Sequence, residues 1–484
     1  MPSIALASRT FASDGQVLFA DLSGDLNPIH MDPIAARRTQ AGTIVVHGVH
    51  AILWAFDKLV ELGTVTKPIA SLRVQFTNFI PVGTQVELRL LGRDERSIRS
   101  ELSFGGLATT TLVVTFGTRK ETKEVKLPAV RHRLSVPEQP ADNRFEEIRR
   151  LRGWVDLPGR LDRLQGYFPH ATSAIGNSRV AAITLLSTLV GMICPGLHSL
   201  FGGFAVDLVE NSSYQDRIGF RVSGIDERFR MVRMSVSGAG IYGSVQAFLR
   251  WPPIAQASVS DVMNVVDQTE FAGSAALIIG GSRGLGALTA KILAAGGSKV
   301  IITYATGRAD AIDIVEEIRS RTASKACYAF KYDAHEEAAS QLEALSSNVT
   351  HLYYFATSNI AKQKQGQFVP TLFDEFIQMY VKGFYDCCCY LSGHRSQALT
   401  AFYPSSVFVE NSPPTMTEYS MAKTVGEMLC AEMNRSAGRV RVIVNRLPRL
   451  LTDQTTTVFP VERSDPLKIM LPVIRKVQSP QSTV

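Results

Sequence analysis

The sequence predicts a chain of two fold classes, an α+β first half followed by an α/β second half with a doubly wound parallel sheet. Three observations lead to this prediction. In the first half, an apolar helix is followed by a series of alternating strand-like runs, and this plan then occurs a second time. Pro252-Pro253 interrupts the pattern. Beyond this point, buried strand-like runs alternate with helix-like runs, which is typical of a parallel sheet covered by helices.

A short polar segment before the first apolar helix contains an acid and a base. Asp25 and His30 lie five residues apart in the run SGDLNPIH, on either side of an Asn-Pro pair that favours a turn. The turn lets both side chains face one pocket, where an acid and a base can add or remove water across a carbon–carbon bond. The run VVHG, which ends at Gly48, then begins the helix, which continues to about Leu62. A backbone N–H at this helix start can bond a thioester oxygen.

Strands follow this helix, and the same plan returns after a polar segment. In the first repeat the alternating runs are SLRVQFTNF, TQVELRLLGRDE, RSELSFGG and ATTTLVVTFG. In the second repeat an apolar helix over Arg179 to Ile193 precedes SLFGGFAVDL, RIGFRVSGIDER, FRMVRMSVSG and SVQAFLRW. The segment 92–96 aligns with 224–228, which indicates an internal duplication. Because a single sheet of this kind exposes an apolar face and an edge, the two copies are expected to pair with each other.

The runs SGDLNPIH and VVHG together resemble the MaoC-like (R)-specific enoyl-thioester hydratases. The resemblance implies a hotdog fold, a curved sheet around one long helix, with Asp25 and His30 as the catalytic dyad and the Gly48 N–H as the oxyanion donor. Many relatives place a serine eight residues after this glycine to steady the aspartate, where this chain has Phe56. The second copy lacks an Asp-x-Asn-x-x-His motif, so it is expected to shape the acyl tunnel without doing chemistry, as in the double-hotdog hydratases it resembles. The predicted domains are a catalytic hotdog over 1–118, a linker over 119–150 and a non-catalytic hotdog over 151–252.

The second half begins, after a linker predicted over 253–272, with a glycine-rich loop between a strand and a helix. Ala275 to Ile279 is predicted to be the strand, and the helix continues to about Ala295. The glycines between them let the backbone turn sharply and approach a pyrophosphate at the helix N-terminus. The loop residues predicted to bind a cofactor are Gly280, Ser282, Arg283, Gly284, Leu285 and Gly286.

Three further residues have the chemistry of a ketone reductase. Tyr419 and Lys423 are four residues apart in YSMAK, within a helix-like run, so both point from one helix face. Ser406 lies thirteen residues before the tyrosine, at the end of the strand AFYPSSV. A phenol can protonate a carbonyl oxygen as hydride arrives, a nearby ammonium lowers the pKa of the phenol, and a hydroxyl polarises the carbonyl. This combination predicts an acid for ketone reduction.

The glycine loop, the serine and the YxxxK pair together resemble the short-chain dehydrogenase/reductase family, over a domain predicted at 273–484. The resemblance implies a Rossmann domain in which Tyr419 is the acid and Ser406 orients the substrate. Tyr419 and Lys423 are also expected to bind the cofactor, Lys423 at the nicotinamide ribose. Asp333, after the strand CYAFKY, matches the aspartate that contacts adenine. The family's catalytic asparagine aligns with Tyr380, and its Asn-Asn-Ala-Gly run appears here as YFAT.

The choice of cofactor is predicted from the second strand of this domain. The strand ends in ITYATGR, without an acidic residue to hold a ribose 2′-hydroxyl, whereas Arg283 and Arg308 can take a 2′-phosphate. This favours NADPH over NADH, although ordinary surface charge also explains the two arginines. Because the family asparagine is lost, an inactive nucleotide-binding fold is the alternative for this domain.

Composition and charge narrow the classes of function. The 484 residues are 45% hydrophobic and 20% charged, as in globular proteins. The net charge of +7 suits phosphate-bearing thioesters or an acidic carrier, but the basic runs are interrupted by acidic residues and lack a nucleic-acid motif, so no nucleic acid is expected. The six cysteines lack zinc-type spacing, so no metal is expected, and they are interpreted as buried, reduced thiols of a cytoplasmic protein without a secretory signal. The apolar run Val180 to Leu197 contains Thr184, Ser187, Thr188 and Gly191 and is interrupted at Pro195, so it is interpreted as a buried helix and no membrane span is expected.

Together, the two resemblances imply two successive steps on a 3-oxoacyl thioester of CoA or acyl carrier protein. Reduction gives the (R)-3-hydroxyacyl form and loss of water gives the trans-2-enoyl form, in fatty-acid or polyketide-type synthesis. Three alternatives remain open: a hydratase and dehydrogenase in the β-oxidation direction, a hydratase with a non-catalytic nucleotide-binding scaffold, and a non-catalytic carrier-docking module. Related reductases associate through the helices around Phe373 to Leu391 and Thr417 to Met433, so a homo-oligomer is expected.

Overall fold

The computed structural model of the protein describes residues 4–119, 132–210, 214–322, 326–343, 345, 349–358, 368–394, 398–436, 439–456 and 464–479. The chain forms two compact units, with the main division between Pro252 and Pro253. Most of the basic segment at the start of the predicted linker over 119–150 lies outside the described residues.

One antiparallel sheet is the framework of the first unit. Within the described residues it contains ten strands: β1 (Ile4–Thr10), β2 (Ile69–Phe76), β3 (Gln85–Arg93), β4 (Ser97–Phe104), β5 (Leu107–Phe116), β6 (Arg152–Asp156), β7 (Ser199–Leu208), β8 (Arg217–Asp226), β9 (Met231–Gly238) and β10 (Ile241–Leu249). Their order across the sheet is β1-β3-β4-β5-β2-β7-β10-β9-β8-β6. Each repeat therefore contributes its strands in the same order, counted inward from its own edge. The two repeats meet where β2 pairs with β7, with Val74 opposite Phe204.

The duplicated sequence segments occupy corresponding places in this sheet. Residues 92–96 lie at the turn between β3 and β4, and 224–228 lie at the turn between β8 and β9. The strand register also shifts at the same point in both repeats, between Leu90 and Gly92 and between Val222 and Gly224. Such bulges bend a strand and increase its twist, so both halves of the sheet curve in the same place. The edge strands β1 and β6 were not predicted from the sequence.

The helices of the first unit surround and fill this curved sheet. Among its described residues they are α1 (Ser13–Ser23), α2 (Pro28–Met31), α3 (Pro33–Arg37), α4 (Gly48–Glu61), α5 (Phe145–Ile148), α6 (Leu161–Tyr167), α7 (Pro169–Ile175) and α8 (Asn177–Thr188). The two longest apolar helices, α4 and α8, contribute side chains such as Leu53, Phe56 and Leu186 to the same hydrophobic core as the sheet. A helix that is apolar on all sides is stable only when it is buried in this way. α8 continues into a π-helical turn, Leu189–Ile193.

The apolar run that ends in this turn is buried inside the unit. All residues from Val180 to Cys194 are buried, as the sequence predicted. Over the part of the chain that the structure describes, no single helix is long and apolar enough to cross a membrane. The bent pair Pro169–Ile175 and Asn177–Ile193 meets the criteria only when its two helices are taken together, and only by length and composition.

A parallel sheet is the framework of the second unit. In the described ranges it has the strands β11 (Ala275–Ile279), β12 (Lys299–Tyr304), β13 (Cys327–Lys331), β14 (His351–Tyr354), β15 (Leu399–Ser406) and β16 (Val440–Leu447). The order is β13-β12-β11-β14-β15-β16, and every pair is parallel. In sheets of this order, ligands bind at the carboxyl ends of the strands where the order reverses, here between β11 and β14.

Helices cover both faces of the parallel sheet. They are α9 (Val259–Met263), α10 (Gly284–Ala295), α11 (Arg308–Arg321), α12 (Ala338–Leu342), α13 (Pro370–Ile377), α14 (Gly383–Gly393), α15 (Phe408–Asn411), α16 (Thr417–Arg435) and α17 (Pro466–Gln478). A π-helical turn, Gln378–Lys382, joins α13 to α14. Residues 253–272, expected to form a linker, include α9, whose Val259 and Val262 are buried in the core of this unit together with Phe271.

One prediction about the cysteines is wrong. Cys387 and Cys388 on α14 are buried, but Cys389 is exposed, because consecutive residues on a helix point in different directions.

Candidate active sites

The loop between α1 and α2 brings the predicted acid and base together. α1 ends at Gly24, which has a left-handed φ of 80°. Asn27 is the N-cap residue before α2, and its side chain accepts a hydrogen bond from the Ile29 N–H. This tight turn places a carboxylate oxygen of Asp25 and a ring nitrogen of His30 within 4.8 Å of each other, with His47 in the same group.

Asp25 is buried and is held by donors from both repeats. Its Oδ1 accepts from the Asn27 N–H at 3.2 Å, and its Oδ2 accepts from the Ser187 hydroxyl at 2.6 Å. Burial raises the pKa of Asp25, while His30 and the two hydrogen bonds partly offset this rise. A carboxyl group with a raised pKa is suited to exchange protons with a substrate.

The π-helical turn of the second repeat fits closely around this loop. A Cβ at Gly191 would lie 2.3 Å from Asp25 Oδ1, so only glycine leaves room for the carboxylate. The Gly191 carbonyl accepts from the Asn27 side-chain amide at 2.8 Å, and the Thr188 hydroxyl donates to the Ser23 carbonyl at 2.5 Å. A π-helical turn misaligns the helical hydrogen bonds, so a carbonyl in it is available to another donor. The second repeat therefore holds the loop of the first.

These contacts were not predicted from the sequence, in which Phe56 stands at the position where relatives have the serine that steadies the aspartate. In the structure that hydroxyl comes from Ser187, which lies 162 residues after Asp25. The available signal was the presence of Ser187, Thr188 and Gly191 in an otherwise apolar helix, because buried hydroxyls need partners.

His30 is held in one tautomer by the backbone. Its Nδ1 lies 2.8 Å from the Val45 carbonyl, which can only accept, so Nδ1 carries the proton and Nε2 of the neutral ring keeps a lone pair. The ring stacks on His47 with centroids 4.0 Å apart. Burial lowers the pKa of His47 well below its usual range. Its Nε2 lies 3.0 Å from the Asp25 carbonyl oxygen, and its Nδ1 lies 3.1 Å from the side-chain oxygen of Gln16.

Gly48 is the first residue of α4, as the sequence predicted. Its N–H has no acceptor among the described residues, so it is available to a ligand oxygen. A Cβ at this position would lie 2.7 Å from the Phe76 ring, which explains the glycine.

In the second unit, the glycine loop follows β11 and leads into α10. Gly280 has φ 78°, and a Cβ at Gly286 would lie 2.2 Å from the Gly280 carbonyl oxygen. The helix can therefore start directly against the strand end. Ser282 is buried in this loop, Arg283 precedes the helix, and Gly284 and Leu285 form its first turn.

The other predicted cofactor residues follow the neighbouring strands. Arg308 is the first residue of α11, after β12, and is exposed. Asp333 follows β13, and its Oδ1 accepts from the His335 N–H at 3.0 Å. Because β11, β12 and β13 are adjacent and parallel, Arg283, Arg308 and Asp333 share one edge of the sheet.

Ser406, Tyr419 and Lys423 lie at the end of β15 and on α16. Burial raises the pKa of Tyr419 to about 12, and its hydrogen bond with Ser406 partly offsets this rise. Burial lowers the pKa of Lys423 to about 7. The prediction that the ammonium lowers the pKa of the phenol is therefore wrong. For both groups the loss of hydration on burial has the larger effect on the pKa. The Lys423 ammonium donates to the Pro404 carbonyl at 2.7 Å.

Comparisons with protein families identify one domain within each unit. Residues 3–112 match the MaoC like domain family, and residues 274–460 match the short chain dehydrogenase family. Comparison with curated proteins gave no match.

Solved structures similar to this chain include short-chain dehydrogenases. One from Pseudomonas syringae is 19% identical, covers 48% of this chain and 95% of its own, and has a TM-score of 0.39. Another, from Shigella flexneri in complex with NADP, is 17% identical, covers 44% of this chain and 94% of its own, and has a TM-score of 0.39.

The two family matches indicate an enzyme with a dehydratase domain and an oxidoreductase domain. The chain is a fusion of a MaoC-like domain with a short-chain dehydrogenase domain.

Proposed function

We propose that the protein is a bifunctional 3-oxoacyl-thioester reductase and (R)-3-hydroxyacyl-thioester dehydratase, which acts in fatty-acid or polyketide-type chain synthesis. One observation carries this proposal: a single chain contains two sets of candidate catalytic residues. One set is the Asp25–His30 pair, and the other is Ser406, Tyr419 and Lys423. The hydroxyl group that the second set would form is the group that the first would remove. The substrate is the thioester of CoA or of an acyl carrier protein, and the positive net charge of +7 suits either.

The first unit is proposed to be a double hotdog with one active site. The two equivalent sets of strands joined through β2 and β7 support this arrangement. The second repeat has no dyad of its own, and its contribution is the hydroxyl and the glycine that hold Asp25.

Dehydration in this site needs one proton removed and one supplied. His30 Nε2 takes the proton from the carbon next to the thioester carbonyl, while the Gly48 N–H bonds the carbonyl oxygen on which charge develops. Asp25, in its protonated form, gives its proton to the departing hydroxyl, which leaves as water. The carbon–oxygen bond breaks as the carbon–carbon double bond forms. A proton then passes from His30 to Asp25, which restores the starting state.

Replacing Ser187 with alanine tests the role of the second repeat. We expect the kcat of enoyl-thioester hydration to fall about tenfold or more with little change in KM, because a buried carboxyl loses a hydrogen bond worth roughly 1.5–3 kcal/mol. Crotonyl-CoA hydration, followed by the loss of its enoyl absorbance, measures both constants.

Thr184→Val is the matched control for this variant. The Thr184 hydroxyl is also buried on α8, but it bonds the Val180 carbonyl of its own helix and not the loop. Equal losses in the two variants would mean that Ser187 affects only the stability of the helix.

Ketone reduction is proposed for the second unit. A bound nicotinamide cofactor supplies the hydride. Ser406 bonds and orients the carbonyl of the substrate, and Tyr419 gives its phenolic proton to the carbonyl oxygen. The Lys423 ammonium favours the phenolate that remains until it is protonated again.

The glycine loop fits such a cofactor. Its backbone leaves no room for a Cβ at Gly286, so the start of α10 can approach a pyrophosphate closely. We propose NADPH, with NADH as the alternative, because Arg283 and Arg308 lie at the edge where the adenosine ribose would bind and no acidic residue ends β12. Asp333 is proposed to contact the adenine.

The proposed function is tested by following the products of acetoacetyl-CoA over time by mass spectrometry. With NADPH, the hydroxyacyl product should appear first and the enoyl product later. Without NADPH, the enzyme should hydrate crotonyl-CoA and leave acetoacetyl-CoA unchanged. Failure to consume NADPH with any 3-oxoacyl thioester would reject the reductase part, and failure to hydrate crotonyl-CoA would reject the dehydratase part.

A second function is favoured by Tyr380, which stands at the position of the family's asparagine. In this alternative the protein is a hydratase whose second unit binds a nucleotide without turnover. NADPH binding detected by fluorescence, without oxidation, would support it. If NAD⁺ drives oxidation of 3-hydroxyacyl-CoA faster than NADPH drives reduction, the β-oxidation direction is favoured instead.

A homo-oligomer is proposed through the exposed face of α16. Met421, Val425 and Met428 lie on one side of this helix, and Met428 is 67% exposed. We expect Met428→Glu to lower the mass of the assembly measured by light scattering, because association would bury the charge of the new glutamate between two copies of the chain. Ile312→Glu, which adds the same charge to an exposed apolar position on α11, should leave the mass unchanged. A monomeric wild type at micromolar concentration would contradict the proposal.

A further inference from the structure

The position of the missing asparagine is occupied by a fixed aromatic side chain. Tyr380 lies in the π-helical turn Gln378–Lys382 and is 1% exposed. The turn is anchored by Tyr354, whose hydroxyl donates to the Met379 carbonyl at 2.9 Å. The neighbouring Gly383 leaves space for that hydroxyl, since a Cβ there would lie 2.7 Å from it. The backbone that carries Tyr380 is therefore held in one place.

The side chain of Tyr380 is fixed at both its hydroxyl and its ring. The hydroxyl lies 2.6 Å from the Thr357 hydroxyl, in a hydrogen bond. The ring is perpendicular to the ring of Tyr419, with centroids 5.6 Å apart and an interplanar angle of 89°. Both Thr357 and the tyrosine anchor of the turn come from YFAT, the run that replaces the family's Asn-Asn-Ala-Gly. The departures from the family pattern thus contact one another and form one arrangement.

The face of the Tyr380 ring receives the ammonium group of Lys423. The Nζ atom lies 4.0 Å from the ring centroid, nearer than the 4.9 Å to Tyr403 and the 5.9 Å to Tyr419. Its hydrogen bond is to the Pro404 carbonyl, and it forms no ion pair with any residue that the structure describes. The negative face of an aromatic ring attracts a cation most strongly when water is excluded, and Lys423 is 5% exposed.

Few other ionisable groups act on this ammonium. On its own helix they are Tyr419, Glu427 and Cys430, and from neighbouring elements they are Tyr380 and Tyr403. Glu427 is already paired with Arg446 of β16. The Lys423 ammonium is therefore surrounded mainly by aromatic rings.

We propose that Tyr380 is a positioning residue for ketone reduction, whose ring holds the Lys423 ammonium in place beside Tyr419. This inference rests on the reductase function proposed above. At the position where the family has an asparagine, whose amide forms hydrogen bonds, this protein then uses the face of an aromatic ring. The departure at this position is then compatible with an active site and is not a sign of its loss.

The test compares variants that keep the ring with variants that remove it. Tyr380→Phe keeps the ring and should retain the reduction rate within about threefold, whereas Tyr380→Leu should lower kcat about tenfold. The rate should fall as pH rises through the lysine pKa, because the ammonium is lost. In a variant without the ring, this fall in rate should occur about one pH unit lower. The ring attracts the charged form of Lys423, so its loss lowers the lysine pKa. Tyr380→Asn, which restores the family residue, is a second variant without the ring.

A second measurement is independent of turnover. Protein labelled with ¹³C at the lysine side chains is titrated by NMR without cofactor, and Lys423→Arg identifies the signal of Lys423. The lysine pKa should be lower in Tyr380→Leu and Tyr380→Asn than in wild type and Tyr380→Phe. The inference is overturned if the lysine titrates alike in all four proteins, or if the leucine and phenylalanine variants reduce ketones equally well. If wild type does not reduce ketones, the proposed function fails, while the lysine titration still decides the role of the ring.

Discussion

Replacing Asp25 with asparagine is expected to slow dehydration of the (R)-3-hydroxyacyl thioester by about 10²–10⁴-fold, the usual contribution of a general acid or base. The substitution keeps the size and shape of the side chain. The amide oxygen can still accept from the Asn27 N–H, and the amide N–H can donate to the Ser187 hydroxyl oxygen, which reverses the direction of that bond. What it removes is the proton that Asp25 gives to the departing hydroxyl. Reduction of the 3-oxoacyl substrate should stay within about twofold of wild type, because its acid is on α16. The (R)-3-hydroxyacyl product should therefore accumulate, which mass spectrometry detects.

Asp57→Asn is the matched control for this prediction. Asp57 is also a buried carboxylate of the first unit, but its Oδ1 accepts from the Ala171 N–H at 2.8 Å and takes no part in the loop. The Asp57→Asn variant should dehydrate the substrate at a rate close to that of wild type. If Asp25→Asn dehydrates the substrate as fast as this control, Asp25 is not the acid. Its role is then only structural, as the residue that caps the turn.

The parts of the fold that the sequence predicted are those with local signals. Hydrophobic alternation located the inner strands of the first unit. The glycine loop indicated that a helix follows β11, although α10 begins at Gly284, inside the predicted loop, and not after Gly286. The edge strands β1 and β6, which pair on one side only, were missed. Residues of β1 are mostly exposed, so its sequence does not alternate clearly between apolar and polar residues.

The candidate sites divide in the same way. Asp25 and His30 are close in sequence, and so are Tyr419 and Lys423, so their spacing was sufficient to pair them. The hydroxyl of Ser187 and the ring of Tyr380 reach these sites from distant parts of the chain. The pKa values of Tyr419 and Lys423 depend on burial, which a motif does not record.

Replacing Tyr419 with phenylalanine is expected to lower the rate of ketone reduction by about 10²–10⁴-fold, because the phenolic proton given to the carbonyl oxygen is lost. The aromatic ring remains, so its edge-on contacts with Phe376 and Tyr380 persist and the site keeps its shape. Because burial raises the pKa of Tyr419 to about 12, the phenol is protonated throughout the neutral range. The loss should therefore be similar at pH 6 and pH 8 when each rate is compared with wild type at that pH. NADPH oxidation with acetoacetyl-CoA measures it.

The hydratase activity of the same protein serves as an internal reference for this variant. Tyr419→Phe should hydrate crotonyl-CoA at the wild-type rate. It should still bind NADPH, because the aromatic ring and the other predicted cofactor-binding residues remain. Tyr328→Phe removes the hydroxyl of an exposed tyrosine on β13 and should reduce ketones normally. A variant that binds NADPH and still reduces acetoacetyl-CoA like this control would exclude Tyr419 as the acid. Loss of NADPH binding together with reduction would instead mean that the tyrosine shapes the cofactor site.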